Sequence, residues 1–285
     1  MRNIIFPFFV AALLSASLAS VSHAGEAKGK MSTQGKTVEL KYAYALAYNN
    51  EEGFIEKPVL RIALTDREIP IETLSGPMTD DLDTLARKGK VAGILIKLDP
   101  VKLSKGGVQG TILYPPNDPR KSLPFFSAAG NDTGFEKIEL AGGNVKGSVT
   151  YAFKGEDLPS FDFDVTFTAP VVKDKVTAKL TGAQALNSPQ LKALLAYQTA
   201  IKKGDFDAAR KLATTDGFSQ LDAYIAQAGK AAVMEMMKSE PSAEELKRQV
   251  RGVFLRGTSA YIVLKGAAGK SLEKLVQSGK DWKID

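Results

Sequence analysis

The chain has 285 residues, 44% of them hydrophobic and 25% charged, with a formal net charge of +6, the make-up of a globular protein long enough for two domains of ordinary size. It has no cysteine and one histidine, His23, so disulfides and thiol chemistry are excluded at once. No dense Lys/Arg block accompanies the mild basicity, which argues against nucleic-acid binding and favours lysines dispersed for solubility over attraction to acidic surfaces.

Arg2, an apolar run over residues 4–14 and the small residues around Ser22-His23-Ala24 read as a secretory signal peptide, 1–24, cleaved after Ala24. Its removal takes Arg2 with it and lowers the formal charge from +6 to +5. It also takes the lone histidine. Ser-His-Asp and Cys-His catalysis, structural zinc and histidine-ligated copper or haem are therefore excluded for the mature chain. Any general acid–base work would fall to carboxylates, Lys or Tyr with shifted pKa values. The apolar run is too short to span a bilayer comfortably, and no later stretch approaches the roughly 20 apolar residues a spanning helix needs. Without cysteine there is no lipoprotein anchor. The expectation is a soluble exported protein of the periplasm, with full secretion as the alternative.

Residues 25–35 are small and polar and read as a flexible leader. Residues 36–172 then form a β-rich domain. Over 37–48 the residues alternate, with Tyr42, Tyr44, Leu46 and Tyr48 on one face and Ala43, Ala45 and Ala47 on the other. A strand follows at 59–65, and a short helix at 80–88 with Thr79 as cap and Asp80, Asp81 and Asp83 in its first turn. Further strands are expected at 91–98 and 108–114, then a Pro-rich loop at 115–124. A hairpin turns at Gly142-Gly143-Asn144, and 161–169 sets Phe161, Phe163, Val165 and Phe167 against Asp162, Asp164, Thr166 and Thr168. Short strands punctuated by turns predict an antiparallel β-sandwich-like domain or a strongly twisted antiparallel sheet.

Residues 173–187 read as a linker. Beyond it, Ser188 caps a helix with Pro189 at its first position and Leu191, Leu194, Leu195 and Ile201 along one face. Gly204 stops it, and Asp205 caps a second helix carrying Phe206, Ala209 and Leu212. A third helix spans 218–237, and Ser242 with Glu245 makes a capping box for a fourth. Three strands, 252–256, 259–265 and 271–277, complete the region, with 281–285 finishing the last of them after a Ser278-Gly279 turn.

The runs GKTVELKYAYA, ALTDREIP and GNVKGSVTYAF make residues 30–170 similar to a recurring domain of exported bacterial proteins to which no activity is attached. The stretch AYQTAIKKGDFDAARKLA, the GTSAYIV strand and the closing DWKI resemble the SnoaL-like, nuclear-transport-factor-like superfamily. That resemblance implies a cone-like α+β domain over 188–285, helices first and antiparallel strands after. Its members include isomerases, hydrolases and non-catalytic ligand binders. The enzymes place Asp, His or Arg inside the cone, and no catalytic motif of theirs maps onto this chain. The expected fold class is thus α+β, a β-sandwich-like domain followed by a small cone.

Candidate motifs mostly have plain readings. Asp132-Thr133-Gly134 is a turn rather than an aspartic-protease triplet, because no apolar strand precedes it. Gly269-Lys270-Ser271 is a hairpin turn rather than a phosphate loop, because Leu264 stands where the earlier glycine should be. Asp162 and Asp164 supply too few oxygens for Ca²⁺. Tyr42, Tyr44 and Tyr48 are a packed sheet face or an aromatic platform for a sugar or peptide. Met234, Met236 and Met237 are core or the lining of an adaptable apolar pocket. Tyr42, Tyr44, Tyr48, Met236 and Met237 are the candidate ligand contacts; no catalytic residue, cofactor or metal ligand is assigned. The expected function is non-enzymatic binding of an envelope protein or a small apolar ligand, with a homodimer open. The alternatives are a carboxylate-dependent hydrolase or isomerase working in the cone, and a purely architectural role.

Overall fold

The computed structural model describes residues 24–55, 57–117, 122–128, 134–135, 137–155, 159–267 and 269–285. The signal-peptide segment ahead of Ala24, together with Asp132 and Thr133, lies outside these described residues. In chain order the first half contains β1 (Gly25–Thr33), β2 (Lys36–Tyr48), β3 (Val59–Thr65), a 3-10 turn (Ile71–Leu74) and α1 (Asp80–Arg87). It continues with β4 (Gly93–Asp99), β5 (Leu103–Leu113), β6 (Phe125–Ala128), β7 (Glu139–Ala141), β8 (Asn144–Phe153) and β9 (Phe161–Lys173). Among the described residues these strands form one nine-stranded sheet in the order β6-β5-β4-β3-β2-β1-β9-β8-β7. Neighbours are antiparallel, save that β9 outruns β1 and pairs in parallel with β2 at Ala45, Leu46 and Ala47.

The expected sandwich is therefore corrected to a single sheet that curls on itself. Phe126 of β6 lies 5.2 Å from Tyr151 of β8 and 5.5 Å from Phe163 of β9, although β6 stands at one end of the strand order and β8 and β9 near the other. Gly110, opposite Phe126, makes room for this ring: a Cβ there would fall 2.1 Å from it. Alternation of apolar and polar residues is the same in a sandwich and in a curled sheet, so sequence could not separate them. The expected leader is likewise strand β1. Ala27 and Met31 are buried inside, whereas Glu26, Lys28 and Lys30 face out. Gly29 lies so close to β9 that a Cβ would be 2.0 Å from the Asp164 carbonyl oxygen. The outer face of β2 to β5 is covered by α1 and the 3-10 turn, where Tyr44, Leu46, Tyr48, Leu74, Leu82 and Leu95 pack together. Thr79 occupies the cap of α1, but its hydroxyl makes no cap bond.

The second half begins with a strand, β10 (Ala178–Leu180), then α2 (Gly182–Leu186), α3 (Pro189–Lys202), α4 (Phe206–Lys211), α5 (Thr215–Ala228), α6 (Lys230–Lys238) and α7 (Ala243–Gln249). It ends in β11 (Val250–Arg256), β12 (Ser259–Gly266), β13 (Gly269–Ser278) and β14 (Asp281–Ile284). The expected helix-first cone is contradicted. β10 lies within the expected linker and pairs with β11 at the edge of an open antiparallel sheet ordered β10-β11-β12-β13-β14. A three-residue strand shows too little alternation to be read in advance. The caps at Ser188 and Asp205 and the Ser242–Glu245 capping box are all present. The third helix instead divides at Gly229, whose φ of 85° breaks the run into α5 and α6. No described helix is long and apolar enough to cross a membrane.

Candidate functional site

The two halves meet where three strand ends converge, and charged side chains fill the meeting point. Arg256 closes β11, Asp174 follows β9, and Glu52 follows β2. The Arg256 Nε donates to both Asp174 oxygens at 3.1 and 3.0 Å, and an Nη2 donates to Glu52 Oε2 at 3.1 Å. The Tyr48 hydroxyl donates to the same Glu52 oxygen at 2.7 Å, and the Ser75 hydroxyl donates to Asp174 at 2.5 Å. A second cation lies alongside. Arg61 of β3 donates to the carbonyls of Leu74 at 2.5 Å, Gly76 at 2.6 Å and Pro77 at 3.1 Å, and its guanidinium stacks 4.5 Å from the Tyr48 ring.

All four charges are buried, and they balance as two cations and two anions. Such a cluster costs desolvation that only good geometry offsets. Burial raises the Asp174 carboxyl above its ordinary range, opposed by the Ser75 bond and by Arg61. Burial also pushes the phenols of Tyr48 and Tyr261 up to about 12, so both stay protonated.

This cluster borders a cleft of about 460 Å³ with walls from both halves. Leu46, Ile71, Val172 and Val276 supply apolar wall, while Ser75, Asp174, Arg256 and Tyr261 supply polar groups. Tyr261 reaches over Gly76, where a Cβ would lie 2.2 Å from its hydroxyl and where φ is +82°. A neighbouring cleft of about 470 Å³ is more polar. There Lys274 is clamped by Asp81 and, at 2.6 Å, by Asp285, and Lys88 meets Asp216 at 2.7 Å. Burial acts to lower the Lys274 ammonium, but the two carboxylates outweigh it and hold the group above its ordinary value.

Two further carboxyls are strongly perturbed. Asp83 of α1 is pushed up to about 6 by burial, against the pull of Lys97, and its Oδ1 has no hydrogen-bond partner. Glu273 of β13 is pushed up to about 7, first by burial and then by Glu240. It borders a third cavity, of about 730 Å³, between α7 and the β12–β13 turn. No group of acidic residues that could hold a metal ion occurs among the described residues.

The expected contacts fall in two separate places. Tyr44 is 2% exposed and its hydroxyl accepts from the Ile69 N–H at 3.0 Å; Tyr48 is 1% exposed and belongs to the charge cluster. Tyr42 is half-buried against the same outer-face packing. In the other half, Met236 is 45% exposed on α6 and Met237 is buried in the core beneath it. The tyrosines are thus brought together, and the methionines are not brought to them. Sequence reasoning missed Glu52, Arg61, Asp174, Arg256 and Glu273. The available signal was a charge inside an apolar strand, Arg61 in VLRIALT above all. No family model matches this chain, and neither a curated protein nor a solved structure matches it, so neither family resemblance gains support.

Proposed function

We propose that this chain is an exported binding protein, and that the cleft between its two sheets takes a small, largely apolar molecule with one polar end. The observation that carries this reading is the composition of that cleft: about 460 Å³, apolar walls contributed by both halves, and a few polar groups converging at one side. Sites of that size and make-up, at a junction between structural units, are the usual form of small-molecule binding sites. Perturbed groups at the same place, Asp174 and Tyr261, support it. The export part rests on the apolar N-terminal segment and its small-residue cleavage positions.

The test is native mass spectrometry of the exported chain, purified from its own compartment, beside Val276→Trp, which fills the cleft from the β13 side. The reading expects a small-molecule adduct on the parent protein that is absent from the variant. It fails if the parent carries no adduct and gains no thermal stability from fatty acids, sterols or aromatic acids. It fails equally if the variant keeps the adduct.

A further inference from the structure

Glu273 occupies a position that the sheet reserves for apolar side chains. In the β12–β13 ladder Ala260 pairs with Leu275, Ile262 with Glu273 and Leu264 with Ser271. Ala260, Ile262, Leu264 and Leu275 all belong to the core beneath the helices, so Glu273 lies in the core-facing row. It is half-buried, and no hydrogen bond or ion pair reaches it among the described residues. In front of it is the cavity of about 730 Å³, with Glu240 also on its wall.

The two lysines on the cavity wall, Lys238 and Lys270, and Lys202 beside it are committed elsewhere. Lys238 pairs with Glu235 at 2.5 Å, and Lys270 donates to the Gly53 carbonyl at 2.5 Å. Lys202 donates to the carbonyls of Glu240 and Pro241, both at 2.9 Å. Glu245 is also engaged, accepting from the Ser242 N–H at 2.7 Å. Two carboxyls of the cavity, half-buried Glu273 and exposed Glu240, have no ion-pair partner among the described residues.

We propose that this cavity is a second binding site, for small organic diamines, in which Glu273 and Glu240 act as the counter-ions. The ammonium groups would give each carboxylate the charged hydrogen bond that the fold withholds. Repulsion from Glu240 already disfavours ionisation of Glu273, so a bound cation would also relieve that repulsion. The cavity shares no lining residue with the junction cleft, so either proposal can fail without the other.

The experiment is calorimetric titration of the full exported chain with 1,4-diaminobutane, butan-1-amine and butane-1,4-diol, at about pH 8, where Glu273 is ionised, and in low salt. The diamine is expected to bind about tenfold or more tightly than the monoamine, and the diol not at all. Glu273→Gln should weaken diamine binding by about tenfold or more, and binding should fade below about pH 6 as Glu273 protonates. Because Glu273→Gln removes an unpaired buried charge, its thermal stability at pH 8 should not fall, which separates lost binding from lost folding. No heat from the diamine at millimolar concentration, or equal affinity in Glu273→Gln, overturns the proposal.

Discussion

Replacing Arg256 by Met tests whether the buried charge cluster couples the two halves. The side chains of Arg256, Glu52 and Asp174 are 4%, 0% and 1% exposed. Among the described residues, without the guanidinium Glu52 keeps the Tyr48 hydroxyl, and Asp174 keeps the Ser75 hydroxyl and the Lys175 N–H, all neutral donors. Breaking a buried ion pair from one side costs about 3–5 kcal/mol, because the remaining charge stays out of water uncompensated. At a urea dependence of about 2–3 kcal/mol per molar, the midpoint should fall by about 1–2 M. Trp282 is the single tryptophan and packs on the core of the second half, so its fluorescence follows that half; far-UV circular dichroism follows both. In the parent the two transitions should coincide, and in Arg256→Met they should separate. Adding Glu52→Gln to Arg256→Met should recover part of the loss, since the buried charges of Arg61 and Asp174 then balance each other. A single variant within about 1 kcal/mol of the parent, with coincident transitions, would refute the reasoning.

Asp83 predicts a pH dependence of definite sign. Its folded pKa of about 6 lies above the ordinary 3.8, so the folded state binds the proton more tightly and stability falls as pH rises through that window. The effect should be about 1–2 kcal/mol after allowing for partial solvent screening, and Asp83→Asn should flatten the melting-temperature profile between about pH 4 and 7. A profile unchanged in Asp83→Asn would place the titration elsewhere. Gly76→Ala should cost about 2–4 kcal/mol, because the residue needs a positive φ and its Cβ would meet the Tyr261 ring. A loss under about 1 kcal/mol in denaturant unfolding would mean that Tyr261 can move aside.

Local structure was legible wherever one residue type carries one physical requirement. Ser188 before Pro189, Asp205 after Gly204, and Ser242 with Glu245 each mark a helix start, and each hydroxyl or carboxylate makes its cap bond. The alternation in β9 likewise separates buried Phe161, Phe163 and Phe167 from exposed Asp162 and Asp164. What failed was everything decided by partners distant in sequence. Lys28 and Lys30 alternate with Ala27 and Met31, yet nothing local says that β9 lies beside them. Ala178-Lys179-Leu180 becomes a strand only because β11 offers its edge. Tyr48 reads in sequence as a packed face or a ligand contact, but its bond to Glu52 and its contact with Arg61 depend on where β3 and the following turns arrive.

The buried carboxyls divide into two kinds. Glu52 and Asp174 are almost wholly withdrawn from water, and Arg256, Tyr48 and Ser75 replace most of the lost hydration, although Glu52 Oε1 has no hydrogen-bond partner among the described residues. Glu273 is less deeply buried, yet no hydrogen bond or ion pair among the described residues replaces the water it has lost, and Glu240 makes its ionisation harder still. A ligand cation there gains an interaction at no cost in protein bonds, and by binding only the folded state it stabilises the chain in proportion to the logarithm of its concentration. The junction cluster therefore fixes the geometry of the cleft beside it, while Glu273 has no bonding partner among the described residues.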